Sequence, residues 1–85
     1  MKVIEYLDQT YNDIANEQIN KELDENPKGF IAVMKSDVYS DSLNGPFNIL
    51  QIAPMNVYGL IGMIYSRQLA SHVANIIAEE LTRHE

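Results

Sequence analysis

The chain of 85 residues contains no cysteine and no tryptophan, and has only four glycines and three prolines. Without cysteine it can form neither disulfides nor thiolate metal sites. A domain this short buries only about two thirds of the surface that its unfolded chain exposes. Its stability must therefore come from packing or from association with another chain.

Targeting and membrane signals are also missing from the sequence. The N-terminal residues lack the apolar core of a signal peptide and turn acidic at Glu5. Residues 57–78 are largely apolar, but Gln68, Ser71 and Asn75 share one side of a helix and break any membrane-spanning run. We therefore expect a cytoplasmic protein that makes no membrane contact.

Acidic residues are absent from residues 42–78, although the chain as a whole carries a formal charge of −6. Residues 1–26 hold seven acids and two lysines, a local balance of −5. Such a balance repels phosphate backbones and argues against direct nucleic-acid binding. It slightly favours a basic protein partner, although acidic surfaces more often serve only to keep a protein in solution.

The last third of the chain, from Pro54 to Glu85, is predicted to form one long amphipathic helix. Steps of four residues separate its side chains into ridges. The ridge of large apolar side chains comprises Val57, Ile61, Tyr65, Leu69, Val73, Ile77 and Leu81. Gly59 and Gly62 would weaken the first turns by roughly 1 kcal/mol each relative to alanine, which leaves open a regular start near Met63.

A second ridge of the predicted helix carries only small side chains. It comprises Gly62, Ser66, Ala70, Ala74 and Ala78. Small side chains let another helix approach closely. That helix could be the first helix of the same chain or a second copy, and we assign self-association in a homodimer or higher homo-oligomer to Gly62, Ser66, Ala70 and Ala74.

The rest of the chain predicts a helix and two strands. Apolar residues at steps of four predict an amphipathic helix over residues 2–25, with an acidic opposite face. Phe30–Met34 and Phe47–Ala53 are apolar runs bounded by turn residues and predict two strands. We therefore expect an α+β domain in which a two-stranded antiparallel unit packs on two amphipathic helices. Since two strands alone are barely stable, the helices cover the unit or two subunits join their sheets.

No arrangement typical of an enzyme, a metal site or a cofactor site is present. The loop containing Asp37 and Asp41 lacks the spacing of a calcium-binding loop. His72 has no nucleophile motif to act on, and we interpret it as a boundary or interface residue. Phosphate-loop, dinucleotide and zinc signatures are missing. The sequence thus predicts a protein that is not an enzyme and carries no cofactor or metal.

The leading functional hypothesis is a non-catalytic acidic module that occupies a basic surface of a partner protein, for example as an inhibitor. It is based on the acidic first helix and on the missing catalytic groups. The predicted partner-binding residues are Glu17, Glu22, Asp24 and Glu25.

The alternative hypothesis is a small-molecule or nucleotide binder whose site forms between subunits. Arg67 is the only formal charge in residues 42–78 and could reach an anionic ligand, although a solvated arginine is the simpler interpretation. The predicted ligand-binding residues are Tyr58, Arg67, Ser71, Asp37 and Asp41. A ligand bound there would raise the melting temperature.

Overall fold

A four-stranded mixed sheet with two helices forms the fold. The computed structural model describes residues 1–36 and 46–84, with the backbone alone at residues 56–58. The elements are β1 (Val3–Thr10), α1 (Asn16–Glu25), β2 (Phe30–Lys35), β3 (Phe47–Ala53), β4 (Val57–Ile64) and α2 (Arg67–Arg83). The strands lie in the order β1-β2-β3-β4, with β1 parallel to β2 and the other neighbours antiparallel. The α+β class is confirmed, but the sheet is larger than the predicted two-stranded unit.

The central strands β2 and β3 are the two that the apolar runs predicted. Phe30 pairs with Ile52 and Lys35 pairs with Phe47, so the two strands are antiparallel along their whole length. The first five residues of β2 are buried. A continuous apolar run suits such a strand because both of its faces are covered.

The helices cover opposite faces of the sheet, because alternate residues of β2 belong to different cores. The core beneath α1 contains Tyr6, Ile14, Ile19, Phe30, Ala32, Met34, Leu50 and Ile52. The core beneath α2 contains Ile31, Val33, Phe47, Ile49, Ala70, Ala74 and Ala78. Each helix therefore packs on the sheet rather than on the other helix.

The prediction of one helix over residues 2–25 was wrong, because the chain forms β1 before α1 begins at Asn16. A step of four is even, so residues four apart share a face of a strand as well as a face of a helix. Between the two elements, Asp13 accepts hydrogen bonds from the backbone N–H and the hydroxyl of Thr10, at 2.9 and 3.0 Å. These bonds lower the pKa of the Asp13 carboxyl, and they hold the turn that separates strand from helix.

The prediction of one helix from Pro54 to Glu85 was wrong for the same reason, since β4 occupies its first part. Gly59 and Gly62 lie in β4, on either side of the bulge at Ile61. The helix begins only at Arg67, after Ser66 accepts a hydrogen bond from the backbone N–H of Leu69 at 3.2 Å. That bond is a typical helix N-cap.

The longer helix, α2, has 17 residues. In the part of the chain that the structure describes, neither helix combines the length and the apolar character needed to cross a bilayer.

Candidate interaction surfaces

The exposed side of α1 carries three of the four acids predicted to bind a partner. Glu17, Asp24 and Glu25 are all exposed. Ile19 is the one buried residue of the helix, and Leu23 packs beside it on the core. Because so little of α1 is committed to packing, these three carboxylates face solvent.

Glu22, the fourth predicted acid, faces β1 instead of solvent. Its carboxylate oxygen lies 3.8 Å from the ammonium nitrogen of Lys2, and its side chain is 25% exposed. Its charge also acts on the buried Tyr6, whose pKa is raised first by burial and then by Glu22. The Tyr6 hydroxyl has no hydrogen-bond partner among the described residues. Glu22 therefore holds α1 against the sheet and is poorly placed to contact another protein.

Arg67 and Ser71 lie on the side of α2 that faces β1. A guanidinium nitrogen of Arg67 is 3.8 Å from the Asp8 carboxylate, and its central carbon lies 5.8 Å from the centre of the Phe47 ring. Ser71 donates a hydrogen bond to Glu5. Both side chains thus join α2 to the first strand within one chain.

The residues of the alternative ligand site are spread over the sheet. Tyr58 pairs with Ile52 near the start of β4, whereas Phe47, which Arg67 covers, pairs with Ile64 at the end of β4. Arg67 and Tyr58 therefore lie at opposite ends of the β3–β4 pair. Asp37 and Asp41 lie outside the described residues. Within one chain, the predicted ligand-binding residues that the structure describes do not lie together. A site that uses all of them would need residues from two subunits.

The residues predicted to mediate self-association do not form one open ridge. Ala70 and Ala74 are fully buried in the core beneath α2, so the close partner of the alanines is the sheet of the same chain. Ser66 is half-buried and caps α2. Gly62 lies on β4, where an added side-chain carbon would meet no atom within 4 Å. Of the four, Gly62 is the one with open space beside it.

A surface that the sequence did not reveal runs along β4, at the outer edge of the sheet. Leu60 is 58% exposed, Ile61 and Met63 are each 43% exposed, and Tyr65 is 65% exposed. No residue from Val57 to Ser66 is charged. The uncharged apolar run could have indicated such a surface. Its step-of-four spacing instead led to the prediction that these residues form the buried ridge of a helix.

Two exposed apolar side chains also lie on α2. Leu69 and Ile76 are about half exposed, and their spacing of seven residues puts them on one side of the helix. That side lies opposite Arg67 and Ser71, which contact β1. We call Leu60, Ile61, Met63 and Tyr65 together the β4 surface.

The described residues offer no obvious centre for chemistry. None of them form a group of three or more histidines and acids that could hold a metal ion. His72 is exposed on α2. No protein-family model, curated protein or solved structure matches this chain.

Proposed function

We propose that this chain is a non-catalytic protein-binding module that places the carboxylates of α1 against a basic surface of a partner protein. The observation that carries the proposal is the exposure of Glu17, Asp24 and Glu25 on a helix that is attached to the sheet by few side chains. By occupying a basic surface, the module would block whatever else binds there, which is how it would act as an inhibitor.

Exposed carboxylates suit this role because they attract a basic partner over a distance and speed encounter more than they add affinity. The formal charge of −6 on a chain of 85 residues strengthens that attraction. Surface charges are screened over about 8 Å at physiological salt, so the complex should weaken as salt rises.

We include Glu17, Asp24 and Glu25 in the proposed surface, because all three are exposed, and leave Glu22 out. Glu22 pairs with Lys2 and supports α1, so it is left unchanged in any test. Glu79 and Glu80 provide a control, because they lie on α2 and pair with Arg83.

The test compares two charge-matched variants, each of which reduces the formal charge from −6 to −4 by replacing two acids. One is Asp24→Asn/Glu25→Gln on α1, and the other is Glu79→Gln/Glu80→Gln on α2. Tagged wild type and both variants are used to capture proteins from a lysate of the source cell at low and moderate salt. The captured protein is then purified, and its affinity for each form is measured.

We expect the wild type and the α2 variant to bind one basic protein stoichiometrically, with binding lost as salt rises. The α1 variant should bind it at least tenfold more weakly. Equal loss in both variants would mean that only net charge matters. Unchanged binding by the α1 variant would remove α1 from the interface, and either result would contradict the proposal.

A further inference from the structure

We infer that two copies of this chain join through their β4 edges, which pair antiparallel across a two-fold axis to form one eight-stranded sheet. This inference concerns the edge of the sheet opposite β1 and does not depend on the acidic face of α1.

The backbone of β4 is the first reason for the inference. As the outer strand it presents a row of backbone N–H and C=O groups that pair with no other strand among the described residues. Natural edge strands usually carry charged residues or proline that discourage pairing with another chain. The other edge strand, β1, has the exposed acids Glu5 and Asp8, whereas β4 has no charge and no proline over eight residues and is interrupted only by a bulge at Ile61. Of the two edges, β4 is the one left open to pairing.

The side chains of β4 are the second reason. Leu60 pairs with the core residue Leu50, so it lies on the face beneath α1, yet it is 58% exposed. On the other face, Gly59 and Gly62 leave open space beside α2. A neighbouring copy would cover the Leu60 side chain and would supply side chains that fill the open space at the two glycines.

The distribution of charge argues for a second copy as the occupant. Two chains of charge −6 repel each other, and a two-fold contact sets each surface against itself. Such a contact is favourable only where the surface has no net charge, because a net charge would be repelled by the same charge on the second copy. Residues 42–78 contain no acid, so the β4 surface meets this condition and also offers nothing to a basic partner.

A dimer interface of standard size would cover a modest part of this chain. A standard interface buries about 800 Å² per partner. That area is about 15% of the 5321 Å² that the described chain exposes. Eight residues of strand provide an edge about 27 Å long at about 3.4 Å per residue.

The first experiment measures mass in solution by sedimentation equilibrium over a range of concentrations. Wild type is compared with Leu60→Lys and with a control, Gln18→Lys, on the exposed side of α1. Both variants change the formal charge from −6 to −5 and so reduce repulsion between copies equally. Circular dichroism and thermal melting at low concentration confirm that each monomer folds.

We expect wild type and Gln18→Lys to reach twice the monomer mass of 9.7 kDa, with a dimer that high salt preserves. Leu60→Lys should need at least a tenfold higher concentration to associate. A wild type that stays monomeric at all concentrations would overturn the inference, as would a Leu60→Lys dimer as tight as that of the control.

The second experiment uses the absence of cysteine and does not depend on the folding of the lysine variant. Single cysteines replace Leu60, Ile61 and Met63, with Gln18→Cys as the control, and disulfide dimers are quantified under mild oxidation. Antiparallel pairing predicts a maximum at the residue nearest the two-fold axis, a decline on either side and little product at Gln18. Equal yields at all four positions would contradict a β4 interface.

Discussion

Glu22 of α1 lies 3.8 Å from Lys2, at the start of the chain, measured between a carboxylate oxygen and the ammonium nitrogen. Beside this ion pair is the buried hydroxyl of Tyr6, which has no hydrogen-bond partner among the described residues. The Glu22 carboxylate therefore lies near a buried phenol. This arrangement should affect the stability of the fold and the way in which that stability depends on pH.

Tyr6 should make the fold less stable at alkaline pH. Burial, and then the charge of Glu22, raise its pKa above 10.0 in the folded chain. Above pH 10 the unfolded chain loses this proton first, so stability that is fully present at lower pH falls as pH rises through the folded-state pKa. Urea unfolding between pH 8 and about pH 11 should therefore show a smaller decline for Glu22→Gln and the smallest for Tyr6→Phe.

The control for this series is Tyr65→Phe, because Tyr65 is 65% exposed. It should retain the alkaline decline of the wild type. At neutral pH, Tyr6→Phe should change the free energy of unfolding by less than about 1 kcal/mol, because the hydroxyl that it removes bonds to none of the described residues. An unchanged alkaline decline in Tyr6→Phe would show that Tyr6 is not its cause.

Gly29 should tolerate no other residue. Its φ is +102°, and a side-chain carbon there would lie 2.3 Å from the carbonyl oxygen of Ile52. Gly29→Ala should reduce the free energy of unfolding by at least about 2 kcal/mol, because both the backbone angle and the contact oppose the methyl group. Gly59→Ala is the matched control at concentrations where the chain is monomeric, since a side-chain carbon at Gly59 meets nothing within 4 Å in one chain. Equal effects of the two substitutions in chemical denaturation would refute this account.

Met55 is expected to be a position where the fold can be stabilised. It lies in the turn between β3 and β4 with φ of 68°, and it is 92% exposed, so its side chain contributes little packing. Asparagine tolerates this left-handed conformation better than methionine does. Met55→Asn should therefore raise the free energy of unfolding by about 0.5–1 kcal/mol, whereas Met55→Val should lower it. The melting temperature should rise in Met55→Asn and fall in Met55→Val. Shifts of the same sign in both variants would argue against backbone strain at Met55.

The alanines of α2 should respond to added volume as core residues do. Ala74 is fully buried between α2 and the sheet. Ala74→Leu should lower the free energy of unfolding by about 1–3 kcal/mol, because the extra methyl groups find no space. Gln68→Leu, at an exposed position of the same helix, should be nearly neutral. If Ala74→Leu instead preserved stability and changed the mass in solution, the alanines would be an interface between chains.

Several features of this protein follow from its sequence alone. The continuous apolar run of β2 can be covered on both faces only inside a sheet, and turn residues mark its ends, so β2 and β3 were predictable. The α+β class followed from these strands and from the amphipathic helices beside them. The acidic character of residues 1–26, which include α1, was also predictable, because formal charges can be counted without knowledge of tertiary contacts.

Other features were decided only when distant segments met. A step of four residues fits one face of a helix and one face of a strand equally well, so Val3 and Leu7, or Val57 and Ile61, do not reveal which of the two forms. Pairing with β2 and β3 selects the strand, because it satisfies the backbone hydrogen bonds of these segments. The same pairing commits Ala70 and Ala74 to the sheet and leaves β4 at its edge. Whether a strand lies at an edge depends on which other strands pair with it, and its own sequence does not contain that information. Only the tertiary structure could show that β4 is an edge.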